Sequence, residues 1–294
     1  MPATTASGRL AGRPYKGALH VHTTCSDGKL TPAQCCRKYR RLGYDFVFIT
    51  DHDQWNDHSA LSTGDFRVFS ALELSCRGGR EHVVALGVHR WDGLMDTQEA
   101  IDWVNRSGGV PVLCHPFWSR MSLRRAFELV DYPLIEVWNT HGGLKYARET
   151  SHFWDLLLEG GRRVFAAATD DAHAAPSYGG GFVEVWAETL SEDAVLQALR
   201  DGRFCASSGP RVSGWSWTPA AIDVQTSSPV RGAALAGDGG FVDHRRIEPG
   251  PDAGSRVTMP VPQHVRTYAR LELEDRHHRR VWLQPVWKDG GGPT

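Results

Sequence analysis

The sequence predicts an α/β fold followed by a small all-β region, and three observations carry that reading. Short apolar runs alternate with helix-like segments as far as about Pro210, no repeat of fixed length links them, and from Arg211 the texture changes. The runs are ALHVH (18–22), FVFIT (46–50), VFSALEL (68–74), VVALGV (83–88), VPVLC (110–114), LIEVW (134–138), VFAAA (164–168) and FVEVW (182–186). Each has strand length, and most are rich in β-branched or aromatic residues. Helix punctuation separates several of them: Thr31-Pro32 opens a segment closing at Gly43, Ser122 opens one ending near Asp131, and Ser191 opens one stopping at Gly202. Such alternation implies mainly parallel pairing with helices outside, as a barrel or an open wound sheet. In either form, function collects at the carboxyl ends of the strands.

Residues 1–14 are small, polar and punctuated by Gly and Pro, and are expected to be a flexible leader. The α/β region is then 15–210. Beyond it, 211–294 is rich in Gly, Pro, Ser and Asp, carries short alternating segments such as Tyr268–Glu274, and reads as a small β domain. Its GDGGF turn (237–241) and basic EDRHHRR stretch (274–280) read as solvated loops.

Composition bounds the function. The 294 residues are 41% hydrophobic and 23% charged, which suits a folded globular chain. Lys plus Arg (33) nearly balance Asp plus Glu (34), so the formal charge of −1 gives no global field for nucleic acid or anionic membrane. No apolar stretch approaches a membrane span, and the start lacks the apolar core of a secretory signal, so a cytoplasmic location is expected. The six cysteines contain no C-x-x-C pair and are expected to be reduced thiols.

The polar residues gather where the fold expectation wants them. His20 and His22 lie two apart in an expected strand, so both leave one face. Asp27 follows in a Ser-Asp-Gly turn, His52 ends FVFITDH, Glu73 ends SALEL, and His115 ends VPVLC. His141 follows LIEVWNT, and Asp171 and His173 end VFAAATDDAH. Strands ringing a common axis would bring these donors together. Imidazoles and carboxylates without thiolates favour zinc, manganese or iron in an open, reactive site over a closed structural zinc site. Nine donors exceed the needs of one ion and suit two or three, with a carboxylate such as Glu73 bridging.

The series LHVHTTCSDG, FITDH, ALELS, CHP, IEVWN and TDDAH, in that order, resembles the PHP (polymerase and histidinol phosphatase) family of metal-dependent hydrolases over roughly residues 15–210. The segments GRFCASSGP (202–210), SSPVRG (227–232) and YARLELEDRHHRRVWLQPVW (268–287) resemble its carbaryl-hydrolase-like branch, in which a β domain follows. The resemblance implies a distorted (β/α)7 barrel. It also implies a ligand set of His20, His22, Asp27, His52, Glu73, His115, His141, Asp171 and His173. Asp170, Asp51 and Asp53 are expected to support these ligands without binding metal, and His82 to orient substrate or ligands.

The expected activity is hydrolysis of a small phosphate mono- or diester by a metal-bound hydroxide held by Asp27, Glu73 and Asp171. Phosphate recognition needs cations beyond the metals, and the loops after the strands offer Arg77, Arg80, Arg120, Lys145 and Arg148. Phe117, Trp118, Trp55 and Trp138 stand beside ligands and would suit a flat leaving group equally with core packing. The alternatives are a carbamate or carboxylic ester hydrolase using the same centre, and a metal-binding module without turnover. The partner is expected to be a small-molecule ester; no membrane, polymerase or nucleic-acid polymer is expected.

Overall fold

A computed structural model of the chain describes residues 8–141, 149–247, 254–289 and 293. Its elements begin with β1 (Gly8–Arg9), β2 (Arg13–Ala18), α1 (Pro32–Arg41), β3 (Phe46–Phe48), β4 (Arg67–Phe69), β5 (Ala71–Ser75) and β6 (His82–Leu86). They continue with α2 (Thr97–Arg106), β7 (Val110–Leu113), α3 (Leu123–Glu128), β8 (Leu134–Asn139), α4 (Ser151–Glu159), β9 (Phe165–Thr169), β10 (Phe182–Ala187), α5 (Glu192–Arg200) and β11 (Phe204–Ser207). Then come strands alone: β12 (Val212–Thr218), β13 (Ala221–Thr226), β14 (Gly232–Gly237), β15 (Gly240–Arg246), β16 (Arg256–Pro260), β17 (Tyr268–Glu274), β18 (Arg280–Leu283) and β19 (Val286–Trp287).

The expected helix starts have local causes. Thr31 accepts from Gln34 N–H while the Gln34 side chain returns to the cap, with Pro32 opening α1. Ser122 caps α3 and Ser191 caps α5 through their side chains. Asp96 and Glu99 form a further capping box at α2.

The fold is α/β, but its pairing is less regular than the alternation implies. β2, β3 and β4 are parallel, as are β7, β8 and β9, whereas β5 with β6 and β6 with β7 are antiparallel. The expected single run 68–74 is two strands in two sheets, broken at Ser70, whose N–H and hydroxyl bond to Glu192 Oε2 and the Val88 carbonyl. Single bridges join the sheets at their strand ends: Val21 to Ala172, and His52 to Glu73. Apolar side chains from β3, β6, β7, β8 and β10 fill the space between them.

The first strand also differs from expectation. β2 stops at Ala18, short of His20 and His22, where its ladder with β3 ends. There His22 N–H donates to Ala172 and Val21 N–H donates to Thr50 Oγ1.

The leader expected over 1–14 needs correction, because Gly8 and Arg9 pair with Trp217 and Ser216 and Arg13 and Pro14 belong to β2; residues 1–7 lie outside the described part. Among the described residues 211–289 carry no helix, yet their strands are not set apart. β18 pairs with β11, so β15, β14, β17 and β18 continue the sheet of β11, β10, β2, β3 and β4. β1, β12, β13 and β16 form a second layer, and the apolar cluster between the layers includes Leu10, Trp186 and Cys205.

Candidate metal centre

Four side chains meet, two from the segment after β2, one from β5 and one from the segment after β9. His20 Nε2 and His22 Nε2 are 3.1 Å apart and face one oxygen of Glu73, at 2.9 and 3.0 Å. Asp171 Oδ1 closes the group at 3.4 Å from His20 Nε2 and 3.2 Å from His22 Nε2. All four residues are buried. The geometry depends on backbone that strands do not supply: Asp171 (φ 47°) and His115 (φ 25°) both adopt the left-handed region, which is costly for a side-chain-bearing residue.

A second group forms around Asp27, whose Oδ2 lies 3.2 Å from His173 Nε2 and 4.0 Å from His52 Nε2, while its Oδ1 is 3.7 Å from His22 Nδ1. Asp51 fixes the turn that presents Asp27, accepting from Thr23 N–H, Thr23 Oγ1 and Ser26 Oγ, each at 2.7 Å. Gly28 closes this turn against His22, whose carbonyl occupies the space a Cβ would need. Asp53 accepts from Ser75 N–H, and Asp170 accepts from Tyr39 Oη and the N–H groups of Gly179, Gly180 and Gly181.

The other Glu73 oxygen meets His82 Nδ1 at 2.7 Å and His115 Nε2 at 3.3 Å. His141 stacks on His173 with ring centroids 4.5 Å apart. Asp27, His52, Glu73, His82, His115, His141, Asp171 and His173 line one pocket of about 290 Å³, completed by Trp118 and Asn139. His20 and His22 form its floor through Glu73 and Asp171. Trp118, half-exposed, packs against His115 and His82 with ring centroids 5.0 and 5.8 Å away.

One residue of the centre escaped the sequence reading. Glu136, buried in the middle of β8, accepts from His20 Nδ1 (2.7 Å), His115 N–H (2.8 Å), Asn139 Nδ2 (3.0 Å) and Thr169 Oγ1 (2.8 Å). It thereby fixes the tautomer of His20 and directs Nε2 at Glu73 and Asp171. The available signal was a carboxylate inside the otherwise buried run LIEVWN.

Of the cationic candidates, Arg77 lies 3.8 Å from Glu99, Arg80 and Arg120 are exposed, and none of the three lines the pocket. Lys145 and Arg148 lie outside the described residues. Among the described residues, no Lys or Arg lines the pocket.

Electrostatics couple the group. Burial opposes charge on His20, but Glu73, Asp171 and Glu136 outweigh it and hold its pKa well above the usual range. Burial likewise opposes charge on His22, and hydrogen bonds to Asp171 and Glu73 push it up to about 9. Glu73 and Asp171 are held well below the carboxylate range, against burial, chiefly by His20. His52 and His141 are lowered, by burial first.

The donor set suits divalent cations. With Nδ1–H given to Glu136, His20 turns Nε2 toward two carboxylate oxygens and a second imidazole nitrogen, an arrangement suited by a positive charge there, whether a proton or a divalent cation. Tetrahedral bonds of about 2.0–2.1 Å place ligand atoms roughly 3.3 Å apart. The separations here are 2.9–3.4 Å. His22 Nδ1 and His52 Nδ1, near Asp27 and Glu73, are inaccessible and lack hydrogen-bond partners.

No protein-family model and no curated protein matches the chain. Among solved structures, it is similar to a two-domain protein from Bacteroides vulgatus containing a predicted PHP-like metal-dependent phosphoesterase. The TM-score is 0.54 at 15% identity, over 91% of this chain and 92% of that one. The two share a fold. The match extends beyond one domain, in keeping with the sheet that runs on from β11 into β18. Weaker similarity links the chain to PsfC from Pseudomonas syringae (TM-score 0.46, 16% identity, 63% of this chain and 87% of that one). The lesion-specific endonuclease PfuEndoQ from Pyrococcus furiosus is similar at the same level (TM-score 0.46, 12% identity, 64% and 56%).

Proposed function

We propose that the chain is a PHP-type metal-dependent hydrolase, built on a distorted (β/α)7 barrel, that cleaves a small phosphate mono- or diester. The observation that carries the reading is the convergence of His20, His22, Glu73 and Asp171 on one point, beside the Asp27–His52–His173 group. His20, His22, Glu73 and Asp171 would hold one divalent ion, and Asp27, His52 and His173 a second. Glu73, through its other oxygen, and His115 are the donors left for a third, and His141, stacked on His173, is proposed as a further ligand. Zinc, manganese or iron bound there would activate water at neutral pH and offset negative charge building on the ester.

The chain's own residues do the positioning. Glu136 locks His20 and the His115 backbone, Asp51 sets the Asp27 turn, and Asp170 ties the segment after β9 to glycines 179–181. His82, bonded to Glu73 and packed on Trp118, forms the wall against which the substrate rests. Lys145 and Arg148 remain the candidates for phosphate contact, since Arg77, Arg80 and Arg120 do not line the pocket. No described helix is long and apolar enough to cross a membrane. We place the protein in the cytoplasm, with its six free cysteines, and its substrate among small molecules.

A second reading, hydrolysis of a carbamate or carboxylic ester in the manner of the carbaryl-hydrolase-like branch, is favoured by the half-exposed Trp118 and Phe117 beside His115. The test is elemental analysis of the purified protein followed by an ester panel on the metal-loaded form. A chromogenic phosphate ester should turn over well above background and faster than an aryl carbamate. The reverse order establishes the second reading, and bound metal without turnover of any ester leaves a binding module.

A further inference from the structure

Beside the pocket, and contributing nothing to its lining, is a third kind of donor group. Cys25 Sγ, a carboxylate oxygen of Asp51 and a ring nitrogen of His58 lie within 4.8 Å of one another. Cys25 stands in the turn that presents Asp27, Asp51 at the end of the β3 segment, and His58 in the loop that follows it. His58 Nε2 is inaccessible to solvent and has no hydrogen-bond partner, an expense for a polar atom that a ligand would remove. Asp51 Oδ2 accepts only from Thr23 Oγ1, so it keeps a lone pair. Gln54 Nε2 donates to the Cys25 carbonyl and holds the turn against the same loop.

We propose that Cys25, Asp51 and His58 bind a separate thiophilic divalent cation, of which zinc is the type, that pins the Asp27 turn to loop 51–58. Thiolate, imidazole and carboxylate together are zinc ligands, with a fourth position open to water. The thiolate distinguishes this site from the all-nitrogen-and-oxygen pocket and disfavours manganese or magnesium. On binding, the sulfur–metal bond forms as the thiol proton passes to solvent. Cys114, the other thiol near a histidine, is engaged: it donates to Val112 O at 3.4 Å and accepts from Val84 N–H at 3.2 Å, while His20 Nδ1 is held by Glu136.

Cobalt loading tests the site, because only a thiolate ligand gives a near-ultraviolet sulfur-to-cobalt charge-transfer band. The wild-type protein should show that band, Cys114→Ser should keep it, and Cys25→Ser should lose it together with one zinc equivalent by elemental analysis. His58→Gln should weaken zinc at this site by more than about 100-fold in competition with a chelator, since loss of an outer-shell partner alone costs 10- to 100-fold. Should Cys25→Ser fail to fold, alkylation of Cys25 in the wild-type protein decides the matter: zinc or cadmium should slow it at least tenfold. No charge-transfer band in the wild type, a band that survives Cys25→Ser, or alkylation indifferent to zinc would overturn the proposal.

Discussion

Two buried charge clusters in this molecule are built on opposite terms. Between α4 and β17, Arg270 is wholly buried and bidentate on Asp155 (2.6 and 2.7 Å), bonds Glu272 at 3.0 Å, and lies over the Trp154 ring at 4.8 Å. Every charge there has a fixed partner of opposite sign, and the cluster fastens the C-terminal strands to the helix. Around the pocket, Glu73, Glu136 and Asp171 are also buried; neutral donors reach Glu136 and Asp171, but among the described residues the groups beside them that can carry positive charge are imidazoles. The first cluster is complete as folded. The second is suited to take up cations from outside the chain, and on that difference the proposed metal centre rests.

The comparison breaks first at Glu73. Glu73→Gln should empty the centre and lower ester hydrolysis by more than about 100-fold, beyond the cost of losing an outer-shell partner; metal content and kcat/KM measure both. An active, metal-replete variant would show that the two clusters do not differ as argued. Arg270→Ala should do the converse, costing about 3–5 kcal/mol of stability by stranding Asp155 in the interior. Denaturant unfolding would read that loss, while metal content per folded molecule should stay at the wild-type value.

How far the site was legible follows from where its residues stand. His20, His22, His52, Glu73, His115, Asp171 and His173 close apolar runs, and a charged or ligating side chain at such a place advertises itself. Glu136 sits inside a run, so the apolar neighbours that bury it also hid it; only its carboxylate was out of keeping. The antiparallel β5–β6 pair had a local sign in Gly78 and Gly79, both at positive φ in the turn between them. The joining of β18 to β11 had none, since residues 205 and 283 meet through long-range pairing that no neighbour in sequence encodes. Gln284, buried and hydrogen-bonded to both the N–H and the carbonyl of Ala166, is a lock of the same kind.

A smaller effect sharpens the comparison at Glu136. It touches no proposed ion, yet it fixes His20, so Glu136→Gln should weaken metal binding about 10- to 100-fold with the fold intact. Competition with a chelator would read the change, and an unaltered affinity would show that His20 needs no such support.

The last effect is a pH dependence confined to the metal-free protein. His22, raised to about 9, contributes stability that is fully present below its unfolded pKa near 6.5 and is lost as the pH climbs toward 9. Glu73 and Asp171, held low, contribute stability present above their unfolded pKa values near 4 and lost on acidification. His52 and His141, lowered by burial, act against folding as they protonate, which trims the gain on the acid side. The chelated protein should therefore melt highest between about pH 4.5 and 6.5 and progressively lower toward pH 9. With metal bound, the imidazole nitrogens must be deprotonated, affinity grows with pH, and the alkaline decline should disappear. Thermal melts across pH 4–9 with and without chelator test this, and parallel curves for the two forms would show that the histidines are balanced without a cation, as Arg270 is by Asp155.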